Sequence, residues 1–281
     1  MRLCHLSDLH FGRHDARVAD ALGADVVAQA PDLVVVSGDF TQIGSEAEFI
    51  AARQFLDRLG LPFFAVPGNH DVPARNLLRR LFNPYGSYRR HISAELEPLL
   101  EQDGVVIAGI RTSRRARAEF NWAHGSISRG QLERLGTRLE ATTPGALRIV
   151  VAHHPLMQPE GEVQKPMRLV RRADLALETF ARLGVRLVLS GHFHLSYTRN
   201  HGQQPAEAEP TGLTRAAAAP ILVAQAGSAV STRLRGAANG YNVIDIADGQ
   251  ITVTVREWDG VQWQALERAR APAEAPMGTK A

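Results

Sequence analysis

Five short segments of the 281-residue chain carry side chains that bind metal ions, and each follows an apolar run typical of a β-strand. The segments are Asp8-Leu9-His10, Gly38-Asp39, Gly68-Asn69-His70-Asp71, His153-His154-Pro155 and Gly191-His192-Phe193-His194. Each motif alone occurs by chance in many proteins. Five in order, each at the end of a strand, supply carboxylates, an amide and imidazoles for two divalent metal ions. This set predicts a hydrolase of phosphate esters.

The spacing within the segments supports a shared site. Asp8 and His10 are two positions apart, as are His192 and His194. In an extended backbone such positions point to the same side, so both members of a pair can reach one ion. Gly38 directly precedes Asp39, and glycine lets the backbone turn sharply and leaves room for a metal.

Composition restricts the metals and the partners. Cys4 is the only cysteine, which excludes an internal disulfide and a thiolate zinc cluster. Oxygen and nitrogen ligands with several histidines suit manganese, iron or zinc better than a pure magnesium or calcium site. The net charge of +3 gives little drive for nucleic-acid binding, although arginine is abundant.

The order of elements predicts one α/β domain. We expect strands at residues 2–6, 33–36 and 62–66 alternating with helices at 15–29 and 45–59, which implies a mostly parallel sheet. Further predicted strands are 105–110, 147–152, 185–190, 195–200, 221–225, 241–246 and 251–258, with helices at 128–140 and 171–183. Ser45 and Glu48 match a helix capping box, and Asp248-Gly249 matches a hairpin turn. In open α/β sheets ligands bind beyond the carboxyl ends of the strands, where all five motifs fall.

The ends of the chain carry no predicted chemistry. We expect a domain over residues 1–267 and a flexible tail over 268–281, which is rich in alanine, proline and charge. Residues 203–219 read as an exposed loop. No signal peptide and no apolar run of about 20 residues is evident, so a soluble, cytoplasmic protein without a membrane segment is expected.

Together these motifs resemble the calcineurin-like metallophosphoesterase superfamily over residues 2–195, and within it the bacterial class III cyclic-nucleotide phosphodiesterase branch. The resemblance implies a four-layer αββα sandwich with two mixed β-sheets and a metal site at the strand C-terminal ends. It implies a first metal held by Asp8, His10, Asp39 and His194, and a second held by Asp39, Asn69, His153 and His192. Asp39 would bridge the ions. His153 is chosen over His154 because the family places its ligand two residues before the proline.

The resemblance also implies a reaction. A hydroxide shared by the two metals would attack phosphorus in line, with Asp39 and His70 as catalytic residues. His70 would contact the phosphate or protonate the leaving oxygen. We expect Asn69, His70, His154 and Arg111 to contact substrate. For Arg111, Arg114, Arg115 and Arg117 the alternative is a solvated loop in an arginine-rich chain.

The expected function is therefore a phosphodiesterase on a small substrate such as a cyclic nucleotide. The alternatives are a phosphomonoesterase or a nuclease with the same site, and a non-catalytic scaffold. The sequence also allows a homodimer. Many relatives carry an acidic residue in a Gly-Asp-x-x-Asp pattern, whereas Gln42 stands there in this chain. That departure bears on the cyclic-nucleotide assignment and leaves the seven ligand positions intact.

Overall fold

The computed structural model describes residues 1–114, 124–160, 167–202 and 220–272. Its strands are β1 (Arg2–Leu6), β2 (Leu33–Val36), β3 (Phe63–Ala65), β4 (Leu99–Gln102), β5 (Val105–Ile110), β6 (Leu147–Ala152), β7 (Val185–Ser190), β8 (Tyr197–His201), β9 (Ile221–Gln225), β10 (Gly240–Ala247), β11 (Gln250–Trp258) and β12 (Trp263–Pro272). Its helices are α1 (Ala16–Ala28), α2 (Glu46–Leu59), α3 (Leu77–Phe82), α4 (Gly86–His91), α5 (Arg129–Glu140) and α6 (Ala173–Arg182).

Two six-stranded mixed sheets form the centre, in the orders β12-β11-β10-β1-β2-β3 and β4-β5-β6-β7-β9-β8. Strands β1, β2 and β3 are parallel, as are β5, β6, β7 and β9, while β10, β4 and β8 pair antiparallel with their neighbours. The carboxyl ends of the parallel strands therefore meet along one edge of each sheet. This arrangement brings together motifs that are far apart in sequence.

Side chains alternate between two kinds of core. Leu3 and Val35 lie in the cluster between the sheets, whereas Cys4 and Val36 face the helices that cover the first sheet. This alternation follows from the two-residue period of a strand. Helices α5 and α6 cover the second sheet in the same way, through residues such as Leu135. The predicted four-layer αββα sandwich is confirmed.

Local signals in the sequence form as expected. The Ser45 hydroxyl accepts a hydrogen bond from the Glu48 amide, and the Glu48 carboxylate accepts one from the Ser45 amide, which completes the predicted capping box of α2. Asp248 and Gly249 connect β10 to β11 with φ angles of 51° and 66°. Positive φ at both positions is typical of a type I′ hairpin turn.

The C-terminal boundary of the prediction is wrong by five residues. Residues 268–272 belong to β12, which pairs antiparallel with β11 through a bulge between Val255 and Arg256. Trp263 and Ala271 are buried, whereas Leu266 is exposed, so the apolar residues of the strand do not alternate regularly. An edge strand of this kind is specified by pairing with its neighbour and gives little periodic signal of its own. The rest of the predicted tail lies outside the described residues.

Two other expectations fall on undescribed segments. Arg115, Arg117 and the predicted loop at 203–219 lie outside the described residues. Among the helices that the structure describes, none combines the length and the apolar character needed to cross a bilayer.

Candidate metal centre

The backbone at the proposed ligand positions adopts a conformation that side-chain-bearing residues seldom use. Asp8, His10, Asp39, His192 and His194 have φ angles of 52°, 48°, 55°, 76° and 60°. Such angles are strained for residues other than glycine and are concentrated at functional sites. Their side chains converge because the loops turn in the left-handed region. The expected extended i, i+2 geometry is therefore not the reason, since β1 ends before Asp8.

The first group of potential ligands contains Asp8, His10 and His194. The Asp8 Oδ1 atom lies 3.5 Å from His10 Nε2 and 3.2 Å from His194 Nε2. The two imidazole Nε2 atoms are 3.3 Å apart. All three residues are buried. Two imidazole nitrogens and a carboxylate oxygen therefore face one small volume.

Asp39 joins this group to a second one. Its Oδ2 atom lies 3.7 Å from His10 Nε2 and 3.3 Å from His153 Nε2. On the far side, His153 Nε2 is 3.1 Å from the amide oxygen of Asn69. The ring of His192 is 5.2 Å from that of His153, measured between centroids. The carboxylate of Asp39 thus lies between the two groups, as a bridging ligand would.

Backbone carbonyls orient three of these imidazoles. The Nδ1 atoms of His10, His153 and His194 lie 3.2, 2.8 and 2.8 Å from the carbonyl oxygens of Thr41, Ser37 and Arg233. A carbonyl only accepts hydrogen bonds, so each Nδ1 carries the hydrogen and donates it. The lone pair of each neutral ring is then on Nε2, which faces the carboxylates. Metal-binding histidines are oriented by hydrogen bonds of this kind.

The residues fit a pair of divalent cations. Asp8 Oδ1 and Asp39 Oδ2 are buried oxygen atoms without a hydrogen-bond donor in the described part of the chain, and a buried carboxylate oxygen without a partner is costly. Ligand atoms of Asp8, Asp39 and His153 lie within 4.8 Å of one another, as do those of Asp8, His10 and His194. Cations at these positions would satisfy both oxygens.

Charges in the site keep the carboxylates ionised. At His10 and His153 burial is outweighed by Asp8 and Asp39, which raise the pKa of His10 and raise that of His153 to about 9, so a bound cation would take the place of a proton there. Burial raises the pKa of Asp39, but His153 and His70 outweigh it and hold that pKa well below its usual range. Burial likewise opposes the lowering of the Asp8 pKa, which His194 and His10 bring about. Burial, reinforced by His153, lowers the pKa of His192 to about 3, so this ring is neutral at pH 7. Ionised carboxylates and neutral imidazoles are the forms that bind metals.

Glycines permit the close approach of the loops. Gly38 has a φ of 102°, and a Cβ atom there would lie 2.7 Å from the backbone nitrogen of Gly68 and 2.8 Å from His153 Nδ1. A side chain at this position would therefore separate the loop that carries Asp39 from the loop that carries Asn69.

Asp71 supports the loops beneath the site. Its buried carboxylate accepts hydrogen bonds from the backbone amides of Gly68 at 2.8 Å, Asp39 at 3.0 Å and Thr41 at 3.1 Å. It also accepts one from the Thr41 hydroxyl at 3.1 Å. Asp71 thus orients the backbone of the loops that carry Asp39 and Asn69.

His70 stands beside the first group. Its Nδ1 atom is 2.6 Å from the carbonyl oxygen of Gln42, and its Nε2 atom is 3.3 Å from Nη1 of Arg233. Its ring meets that of His10 edge-on at 4.7 Å between centroids. His70, His10 and Asp39 also bring ligand atoms within 4.8 Å of one another, so His70 borders the metal centre, and its Nε2 atom accepts a hydrogen bond from Arg233.

The other predicted substrate contacts are placed differently. His154 lies next to His192, with ring centroids 4.5 Å apart, and its Nδ1 atom is 2.7 Å from the Thr112 hydroxyl. Arg111 stacks on Tyr85 and donates hydrogen bonds to the Tyr85 hydroxyl and the Ser113 carbonyl. The described contacts of Arg111 are thus outside the group of carboxylates and imidazoles, whereas His154 borders it.

The sequence prediction missed the segment after β9. Arg233 contacts both His194 and His70, yet the run Ser-Thr-Arg-Leu-Arg-Gly at 231–236 matches no metal or phosphate motif. The useful signal was topological. Strand β9 runs parallel to β7, so the loop after β9 emerges at the same edge as His192 and His194.

Comparison with known proteins identifies the family and the fold. The calcineurin-like phosphoesterase family matches residues 1–196. A probable cyclic nucleotide phosphodiesterase from a Synechococcus species is 29% identical over 186 residues, which cover 66% of this chain and 66% of that protein. A glycerophosphodiester phosphodiesterase from Enterobacter lignolyticus is 42% identical over 85 residues, 26% of this chain and 31% of the relative. A dimetal phosphatase from Danio rerio shares the fold, with a TM-score of 0.68 at 12% identity over 98% of this chain and 99% of its own.

Proposed function

Because the chain belongs to the calcineurin-like phosphoesterase family, we propose that it is a metal-dependent phosphodiesterase acting on a small substrate such as a cyclic nucleotide. The observation that carries this proposal is the pair of ligand groups that share the Asp39 carboxylate. The names of the Synechococcus and Enterobacter relatives, both phosphodiesterases, support a diester over a monoester.

In this proposal seven side chains hold two divalent ions, which are manganese, iron or zinc. They are Asp8, His10, Asp39, Asn69, His153, His192 and His194. When bound, two such ions polarise a phosphoryl group and activate a water molecule for in-line attack. The absence of a thiolate among the donors and the number of imidazoles favour these metals over magnesium and calcium.

The residues of the chain position the substrate and the protons. Asp39 stays ionised between the two ligand groups. Asn69 directs its side-chain oxygen to the second group, and its amide nitrogen remains for a substrate oxygen. His70 holds its Nδ1 hydrogen on the Gln42 carbonyl, so its Nε2 atom is the one that meets the phosphate or the leaving oxygen. When Nε2 carries a proton, it donates that proton to the leaving oxygen.

The test is hydrolysis of bis-p-nitrophenyl phosphate by the purified chain with manganese, iron(II) or zinc. The same preparation is assayed with p-nitrophenyl phosphate, cyclic AMP and glycerophosphodiesters. We expect diester hydrolysis and a loss of kcat/KM of at least about 100-fold in Asp39→Ala, since even residues behind a metal ligand cost about 10- to 100-fold when removed.

The matched control is Asp57→Ala. Asp57 is an exposed aspartate whose side chain pairs with Arg53 on the surface of α2, so its removal should leave the rate unchanged. Equal rates in wild type and Asp39→Ala would contradict the bridging role. Hydrolysis of the monoester alone would contradict the diester assignment.

A further inference from the structure

The loop between β9 and β10 brings Arg233 to the metal centre. Arg233 is half-buried, and its Nη1 atom lies 3.3 Å from His70 Nε2. The carbonyl oxygen of the same residue receives the Nδ1 hydrogen of His194 at 2.8 Å. The backbone of Arg233 therefore contacts His194, a proposed metal ligand, and its guanidinium contacts His70, the proposed substrate histidine.

This loop is held firmly in place. The Asn239 side-chain amide donates to the carbonyl oxygens of Ser228 and Ser231, each at 3.0 Å. The Ser231 hydroxyl accepts from the Arg233 amide at 3.0 Å, and the Ser228 hydroxyl donates to the Asp8 carbonyl at 2.9 Å. Ser228, Ser231 and Asn239 are buried. The position of Arg233 at the edge of the metal centre thus follows from a network of hydrogen bonds that joins its loop to the loop of Asp8.

The positive charge of Arg233 at the edge of the metal centre favours a bound anion. In the described part of the chain, the ion pairs of arginine with carboxylates do not include Arg233 or Arg235. The Arg233 guanidinium is half-buried, and a charge partly removed from water is costly without a counter-ion. Bound cations in the centre would neutralise the carboxylates and increase this cost.

We infer that Arg233 binds the phosphoryl group of the substrate. The inference rests on the proposed phosphoester hydrolysis and adds a residue that binds substrate. A guanidinium presents several N–H donors in a plane and matches phosphate oxygens in a bidentate geometry. In the structure the Arg233 guanidinium donates a hydrogen bond to His70 Nε2. A phosphoryl oxygen placed between His70 and Arg233 would accept this hydrogen bond in place of His70 Nε2.

The test compares wild type with Arg233→Ala and Arg233→Lys, each loaded with manganese. Three quantities are measured: the dissociation constant of inorganic phosphate by calorimetry, KM and kcat for bis-p-nitrophenyl phosphate, and manganese bound per chain. We expect Arg233→Ala to weaken phosphate binding and to raise KM by about 10- to 100-fold, the range for loss of a hydrogen bond to a charged group. Arg233→Lys should recover part of both losses. Bound manganese should be unchanged, because any residue at 233 keeps the carbonyl that orients His194.

The matched control is Leu234→Ala, a neutral change at an exposed position of the same loop, which should leave all three quantities unchanged. Phosphate binding in Arg233→Ala within about 2-fold of wild type would overturn the inference. Loss of manganese in Arg233→Ala, with Leu234→Ala unaffected, would also overturn it, since the role would then be support of His194. Phosphate binding needs no turnover. A wild-type protein that binds phosphate through Arg233 yet cleaves no ester would refute the proposed function and leave the inference standing.

Discussion

Removing the Asp71 carboxylate should lower the free energy of unfolding by several kilocalories per mole. This group accepts hydrogen bonds from the backbone amides of Gly68, Asp39 and Thr41, and its environment is buried. The Thr41 hydroxyl has a second acceptor in the His70 carbonyl at 2.9 Å, so Asp71→Ala leaves three amides without a partner. Each unsatisfied buried amide costs about 1–3 kcal/mol, and some of this is recovered as the loops relax or water enters. We therefore expect a loss of about 4 kcal/mol in the free energy of unfolding.

Urea unfolding of the metal-free protein, followed by circular dichroism, measures this loss. Asp71→Asn keeps one acceptor oxygen and leaves one backbone amide without an acceptor. It should therefore lower the free energy of unfolding by about 1–2 kcal/mol. The control Asp57→Ala removes an exposed aspartate paired only with Arg53, which should cost under about 1 kcal/mol. Manganese titration should show weaker binding in Asp71→Ala, because Asp39 and Asn69 lie on the loops that Asp71 joins. A stability of Asp71→Ala within about 1 kcal/mol of wild type would refute this reasoning.

Two further predictions concern the surroundings of the site. Burial lowers the pKa of His5 from 6.5 to about 3. Below pH 6.5 the unfolded chain therefore binds a proton at this residue, whereas the folded chain does not. The free energy of unfolding should fall by about 2 kcal/mol between pH 7.5 and 5 through His5. Urea unfolding at both pH values should show a smaller loss of stability in His5→Gln than in wild type. An equal loss in the two proteins would contradict the assignment of this pH dependence to His5. A Cβ atom at Gly191 would lie 1.7 Å from the Ser7 hydroxyl oxygen and 2.6 Å from Asp8 Oδ2, so Gly191→Ala should weaken manganese binding at least about 10-fold. Metal analysis against Gly130→Ala, a position in α5 where a Cβ atom would make an ordinary contact with Arg134 Nη1 at 3.5 Å, checks this, and unchanged manganese affinity in Gly191→Ala would contradict it.

Most of the site residues could be found from the sequence because each follows a strand with a clear apolar pattern. Such a pattern predicts a buried strand, and the topology of parallel strands then places the residues after it at a common edge. The capping box at Ser45 and the hairpin at Asp248 were equally readable, since each depends on contacts within a few residues. Local chemistry thus specified both the elements and their ends.

Features that depend on distant contacts could not be read in the same way. Strand β12 lacks a regular apolar alternation and forms through its register with β11, and Arg233 reaches the site through a loop with no motif. The left-handed backbone at Asp8 and Asp39 was also missed, because aspartate adopts this region more often than most residues but still at only a small fraction of its positions. In each case the tertiary environment overrides a weak local preference.

The strained backbone at the site is explained by how the two first loops continue beyond their strands. The amides of Asp8, His10 and Phe11 donate to the carbonyls of Gly38, Asp39 and Phe40 at 3.1, 2.9 and 2.9 Å. The two loops therefore remain hydrogen-bonded to each other after β1 and β2 end, while both turn through positive φ. A residue in that region costs about 1–3 kcal/mol and persists only where its surroundings fix it. The paired amides, with the Asp71 carboxylate beneath them, provide that constraint. The carboxylates of Asp8 and Asp39 are consequently held at the edge of the sheet before any cation binds, so binding energy need not be spent on ordering these two loops.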